Sequence, residues 1–221
     1  MIARVHSSLT PDGLAALVAN QVNAVYPDDQ TVSPADLMQA VKGALLRLEH
    51  CFTHIRNKYF FDGSQAIFDH LHGDQYAMWL YFLSNELFKI NGPLHACKKI
   101  FLLNKTLHGC DVFYEIELPS VFLLVHPLGT VLGRGQYADY LLVYQRCGVG
   151  SNHDIFPSLG EHVTLRPGSA ILGNSTVGDN CTIAAESLLL DQNLSSNKVY
   201  IGNPRDQMIR PKLSKESLWR T

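Results

Sequence analysis

The chain has 221 residues, 46% hydrophobic and 17% charged, with a formal net charge of -2. It is long enough for one large domain or two small ones, and apolar enough for a sizeable core, which excludes general disorder. With no basic block in a nearly balanced sequence, a nucleic-acid partner is not expected.

The opening MIARVHSSLTPDG lacks the apolar run of a signal peptide, and no later stretch is long enough to span a membrane. The cysteines Cys51, Cys97, Cys110, Cys147 and Cys181 form no CxxC pair. Such a scattered, odd-numbered set suits a reducing compartment, with thiols serving as small core residues. A cytoplasmic protein with no membrane partner is expected.

The first half reads as helical. Thr10-Pro11-Asp12 is a helix start, and Leu14, Leu17, Val18, Val22 and Val25 give a one-sided stripe ending near Tyr26-Pro27. Ser33-Pro34-Ala35-Asp36 opens a longer helix with Leu37, Val41, Leu45, Leu48, Phe52 and Ile55 on one face. A short helical piece is expected after Asp62-Gly63. A further helix runs from Asp74 to Ile90 and stops at Asn91-Gly92-Pro93; Trp79, Tyr81, Phe82 and Phe88 on it read as packing. The last, from about Leu94 to His108, ends at Gly109, a good C-cap residue.

From there the period changes. Leu159, Leu165, Ile171, Val177, Ile183 and Leu189 stand six apart, and Ser169, Ser175, Cys181 and Ser187 follow the later aliphatics by four. A period of six suits neither a helix nor a flat strand; it marks a repeat architecture, a parallel β-helix with one aliphatic residue per side turned inward. Extended backwards, the row takes in Val149, Val143, Tyr137 and Val131, and, after one extra residue, Leu124, Leu118 and Val112. Between Val149 and Leu159 the step is ten, so a loop interrupts the wall at Gly150 to Pro157. Loops thrown out of a solenoid are where function concentrates. From Val112 to Ile201 there is room for about five coils. The reading is therefore α+β: a helical domain over 1–109, a β-helix catalytic domain over 110–205 and a loosely held C-terminal tail over 206–221.

Three segments carry a family resemblance: Gly109-Cys110-Asp111-Val112, His126-Pro127-Leu128-Gly129-Thr130-Val131-Leu132-Gly133 and Ile171-Leu172-Gly173-Asn174. With them, residues 94 to 205 resemble the serine O-acetyltransferases, hexapeptide-repeat acyltransferases that fold as left-handed β-helices. Gly202-Asn203-Pro204-Arg205 looks like that family's Gly-x-Pro-x-Arg turn, one residue short. The resemblance implies acetyl transfer from acetyl-CoA, used as a co-substrate, to a hydroxyl of a small-molecule acceptor. It also implies a homotrimer with sites in the clefts between subunits, permits a pair of trimers, and calls for no metal.

The resemblance assigns the general base to His126 and its carboxylate partner to Asp111. Phase agrees in part: His126 lies two places after the inward Leu124 and should face out, and Asp111 lies in the preceding coil. A neutral imidazole near its reference pKa of about 6.5 can take a hydroxyl proton, and a carboxylate on the other nitrogen fixes its tautomer. For the donor, a pantetheine groove would use small residues at Gly150, Ser151, Gly168 and Ala185, with Arg205 and Lys212 toward the phosphates.

The acceptor pocket departs from the family. Val125 stands where the family has an acid before the histidine, and Ile155 and Phe156 stand where it has an Arg-His pair. The expectation is that His153 and Phe156 line the acceptor site, with His153 in place of the missing histidine. The acceptor stays open between serine and a sugar or nucleotide-sugar, with O- or N-transfer. Two readings from other classes remain: a non-catalytic β-helix assembly platform, and a zinc site built from His126, His153 and His162.

Overall fold

The computed structural model describes residues 4–220. The chain forms two compact units: one runs up to His108 and adds Phe113–Glu115 and Arg220, the other holds Gly109–Val112 and Ile116–Trp219.

The first unit contains β1 (Val5–Ser7), α1 (Pro11–Val25), α2 (Pro34–Thr53), β2 (Ala66–Phe68), α3 (Gly73–Lys89) and α4 (Leu94–His108). The caps are those the sequence announces. Thr10 Oγ1 accepts from Gly13 N at 3.1 Å, and Ser33 and Asp36 form a reciprocal capping box at the start of α2. Hydrogen bonds from Ser33 hold the Asp36 carboxyl below the usual carboxylate range. The α2 stripe of Leu37, Val41, Leu45, Leu48, Phe52 and Ile55 is buried, as are Trp79, Tyr81 and Phe82 of α3. One expectation fails here. The piece after Gly63 is not helical but is β2, which pairs in parallel with β1. Ala66 and Phe68 are buried with Ile67 between them half-buried, a period of two that a three-residue segment states too briefly to be read in advance.

The second unit is a parallel β-helix. Its first turn holds β3 (Phe122–Leu124), β4 (Val131–Leu132) and β5 (Gln136–Tyr137), and its second holds β6 (Leu141–Val143), β7 (Gly148–Gly150) and β8 (Ser158–Leu159). The third holds β9 (Thr164–Leu165), β10 (Ala170–Leu172) and β11 (Thr176–Val177); the fourth holds β12 (Thr182–Ile183) and β13 (Leu188–Leu190), with Leu194 bridging Val177 on the remaining wall. β14 (Lys198–Ile201) adds a fifth parallel strand to one wall, and β15 (Met208–Pro211) pairs antiparallel with it. The solenoid thus completes about four turns, with β14 beginning another.

The hexad row is the core. Leu159, Leu165, Ile171, Val177, Ile183 and Leu189 are all buried, and so are the small residues Ser169, Ser175, Cys181 and Ser187. The small side chains satisfy backbone groups at the corners: Ser175 Oγ donates to Leu172 O at 2.7 Å, and Ser187 Oγ accepts from Gly202 N at 2.9 Å. The row slips by one in the first coil. Leu132, 1% exposed, pairs with Val149 and faces inward, whereas Val131 is 49% exposed. The corner through Pro127-Leu128-Gly129 therefore holds two extra residues rather than one. At the other end Tyr200, not Ile201, closes the inward row.

The corners explain the unusual backbone. The corners turn largely through left-handed residues, supplied by Gly168 and Gly173 but also by Tyr140, Arg146, His162, Asn180, Glu186, Asp191 and Asn197. A non-glycine residue there costs roughly 1–2 kcal/mol, repaid by the bonds each coil makes to the next.

The C-terminal segment is not loosely held. After β15 the chain runs back along the wall: Lys212 N donates to Asn197 O at 2.9 Å, and Arg166 Nη2 to Glu216 Oε1 at 2.8 Å. Trp219, 4% exposed, meets Tyr140 edge-on, and Tyr140 stacks on His162 with ring centroids 4.3 Å apart. Burial against this layer, together with Lys215, holds the His162 imidazole below its ordinary pKa. Trp219→Ala should destabilise the solenoid by about 3 kcal/mol. Urea unfolding followed by near-ultraviolet circular dichroism measures this; a loss within about 0.5 kcal/mol would mean that the segment is not part of the core.

Candidate active site

The coil-to-coil bonds sort the expected site residues by corner. Val125 N donates to Val143 O, Tyr144 N to Leu165 O, Arg166 N to Ile183 O and Ala184 N to Tyr200 O. This ladder stacks His126 on the same corner as Gly168 and Ala185. Arg205 lies just beyond, in the turn where Asp206 N donates to Asn203 O. Asp111 sits on the preceding coil: it bridges Val131, accepts from Leu132 N at 2.9 Å and donates its own N–H to Thr130 O at 2.9 Å. His126 itself is exposed, with φ 49°, so the turn that it makes carries its ring outward.

Gly168, at φ 74°, is fixed by its neighbours. A β-carbon there would lie 2.5 Å from Glu186 Oε1. That carboxylate is held by Arg146, Nη2 to Oε1 2.5 Å, from two coils away. The missing side chain lets an ion pair close over the corner. Gly150 differs: a β-carbon would meet only Leu172 Cδ2, at 3.8 Å, so nothing within this chain requires glycine there.

Gly150, Ser151, His153 and Phe156 belong to the next corner, at the far end of the wall built from β4, β7, β10 and β13. The loop from Gly150 to Pro157 is a tight hairpin. Asn152 and Ile155 exchange backbone bonds of 3.1 and 3.0 Å around His153 (φ 51°) and Asp154 (φ 60°), the paired left-handed residues of a type I′ turn. Asn152 Nδ2 donates to Asp191 Oδ2 at 2.6 Å and ties the hairpin to the solenoid. Beside it lies a cleft of ≈ 540 Å³ lined by Arg134, Gln136, Asp154, Ile155, Phe156 and Ser158, among others. Phe156 therefore lines a cavity, as the acceptor reading asks, while His153 sits at the turn tip and is not among the lining residues.

Sequence reasoning missed Arg134. The signal was available: Gln136 pairs with Ser158, a step of 22 that combines one coil with the inserted loop, and the same step from Phe156 leads back to Arg134. Lys212, expected near the donor phosphates, is instead turned into the wall, its side chain 9% exposed and its amine 4.0 Å from Glu216 Oε1. His126, His153 and His162 occupy three different corners. Among the described residues, no three His, Cys, Asp or Glu side chains are grouped to hold a metal ion. The five cysteines are free and buried, and burial pushes the Cys110 thiol up to about 12 and Cys97 to about 11, so neither of these two serves as a thiolate nucleophile.

No family model matches the chain. Among curated proteins it is similar to the serine acetyltransferase of Staphylococcus epidermidis, 26% identical over 134 residues that cover 58% of this chain and 62% of that protein. The serine acetyltransferase of Staphylococcus aureus is 22% identical over the same shares. The chain thus spans less than two thirds of the relatives it matches. Among solved structures, serine acetyltransferase from Brucella abortus superposes with a TM-score of 0.71 at 20% identity, over 93% of this chain and 85% of that one. A serine acetyltransferase in complex with CoA gives 0.68 at 17% identity, over 91% and 86%. These likenesses establish the fold: N-terminal helices followed by a parallel β-solenoid, the architecture of the serine acetyltransferase structures.

Gly168→Ala should cost about 1 kcal/mol in stability through its left-handed backbone, and displace Glu186 from Arg146. Denaturation of the variant alongside Arg146→Gln checks this: the two losses should fail to add, and full additivity would contradict the closed corner.

Proposed function

We propose that this chain is an acetyl-CoA-dependent O-acetyltransferase of the serine acetyltransferase kind, acting on a hydroxyl of a small acceptor. One observation supports it above the others: an outward histidine, His126, shares a corner with Gly168 and Ala185, with Asp111 on the coil before it, in a fold otherwise seen in enzymes of that name.

His126 takes the proton from the acceptor hydroxyl as its oxygen attacks the thioester carbonyl of acetyl-CoA. Asp111 steadies the imidazolium. Collapse of the tetrahedral intermediate breaks the carbon–sulfur bond, and the imidazolium returns the proton to the departing CoA sulfur. Gly168, Ala185 and Arg205 border the donor on His126's corner; Gly150 and Ser151 border it on the other.

The two corners are separated by a wall strand and its flanking turns, roughly 15 Å at strand rise. One small acceptor cannot touch His126 and the hairpin of the same chain. An assembly that brings the His126 corner of one copy to the hairpin corner of another completes the site, and a homotrimer closes this arrangement. The wall between the corners suits it: Val131, Ala170, Leu172, Leu188 and Leu190 face outward with Gly148 and Gly150, giving a flat apolar surface. Free, buried thiols fit a reducing cytoplasm.

His126→Ala should lower acetyl transfer by about 10²–10⁴-fold while CoA binding persists. Release of free CoA during turnover, together with CoA titration, reads both; undiminished turnover removes His126 from the mechanism. Leu172→Glu should convert a trimeric species in sedimentation to monomer, and a monomeric parent protein would overturn the shared site.

A further inference from the structure

We propose that the cleft beside the hairpin is a subsite for an amphipathic carboxylate: Arg134 holds the carboxylate, and Ile155 and Phe156 cover an apolar portion. This rests on the acyltransferase reading for its purpose, since the ligand would be the acceptor, but the binding chemistry stands on the cleft alone.

Arg134 is exposed on the cleft wall and makes no hydrogen bond or ion pair among the described residues. Asp154 lines the same cavity, yet the two do not pair. A guanidinium without a partner, in a concave site, offers a planar fork of donors that matches a carboxylate. Lining the same cleft, Ile155 is 48% and Phe156 40% exposed. These apolar side chains are displayed by a hairpin that is tied down at Asn152, so a bound ligand need not first order them. Left in water they forfeit burial energy; an apolar group of a ligand recovers it.

A volume of ≈ 540 Å³ lies in the range of small-molecule sites, roughly 300–1,000 Å³. It is generous for a three-carbon acceptor such as serine, which has no apolar portion to set against Phe156. Asp154, acceptor-only when ionised, suits a hydroxyl or amine donor on the same ligand. The preferred acceptor is therefore a hydroxylated carboxylic acid with an aliphatic or aromatic body, rather than serine or a neutral sugar.

Three probes separate these contributions in calorimetric titration of the full chain: phenyllactate, its uncharged amide, and lactate. Phenyllactate should bind about tenfold more tightly than either of the others, reflecting one charged contact and one apolar one. Arg134→Gln should abolish the preference for the acid over the amide, Arg134→Lys should restore part of it, and Phe156→Ala should abolish the preference for phenyllactate over lactate. Both side chains are exposed, and circular dichroism verifies that the variants fold. Equal binding of acid and amide, an unchanged preference in Arg134→Gln, or no phenyllactate binding overturns the proposal. CoA titrated separately distinguishes the two levels. CoA binding without phenyllactate binding removes this subsite and leaves the acyltransferase reading; Arg134-dependent phenyllactate binding without CoA binding does the reverse.

Discussion

The register between coils is the constraint on which the rest of the β-helix depends. An inward aliphatic residue on each wall side fixes which neighbours point out, and backbone bonds repeat that choice from coil to coil. Once Leu165, Ile171 and Ile183 are committed to the interior, the corners must turn at set places. The left-handed residues follow from this, including Arg146, His162 and Glu186, whose types would not otherwise be chosen for such a backbone. His126 is carried outward by the same rule.

That constraint also divides the chemistry. Strands of a solenoid wall are held in register by backbone bonds on both sides, so His126 on one corner and the hairpin on the next stay a strand apart. The inserted loop does not bridge this gap. It makes a compact hairpin pinned through Asn152 and Asp191, and its apolar residues face a cleft on their own corner. In the proposed enzyme a complete site pairs corners between copies, and the flat face bearing Gly148, Gly150 and Leu172 is the surface proposed to meet the next copy.

Much of this was legible in the sequence because a six-residue repeat states its own register. The hexads from Leu159 to Leu189, the helix caps at Thr10 and Ser33 and the loop at Gly150 to Pro157 all appear where the spacing predicts. What failed lay where the period is broken or too short. Leu132 displaced Val131 because the corner after His126 holds two extra residues, and aliphatics at both positions gave no warning. β2 is too brief to show a period, and its partner β1 lies far away in sequence. The polar composition of the C-terminal segment hid a single decisive residue, Trp219, and Lys212 with its long stem was mistaken for a surface cation. The outward turn at His126 and the place of Phe156 in the loop were readable from motif and spacing; Arg134 was readable only through the step of 22 between coils, since nothing adjacent to it in the chain marks its place in the cleft.

The proposed shared site is tested most directly by mixing two variants, each lacking one half of it. His126→Ala lacks the base, and Phe156→Glu places a charge in the hairpin cleft; after dissociation and reassembly together, some clefts combine an intact His126 with an intact hairpin. Acetyl transfer from acetyl-CoA, measured as free CoA released, should recover to a substantial fraction of the parent rate. A mixture that remains at the sum of its two components would contradict a site built between chains.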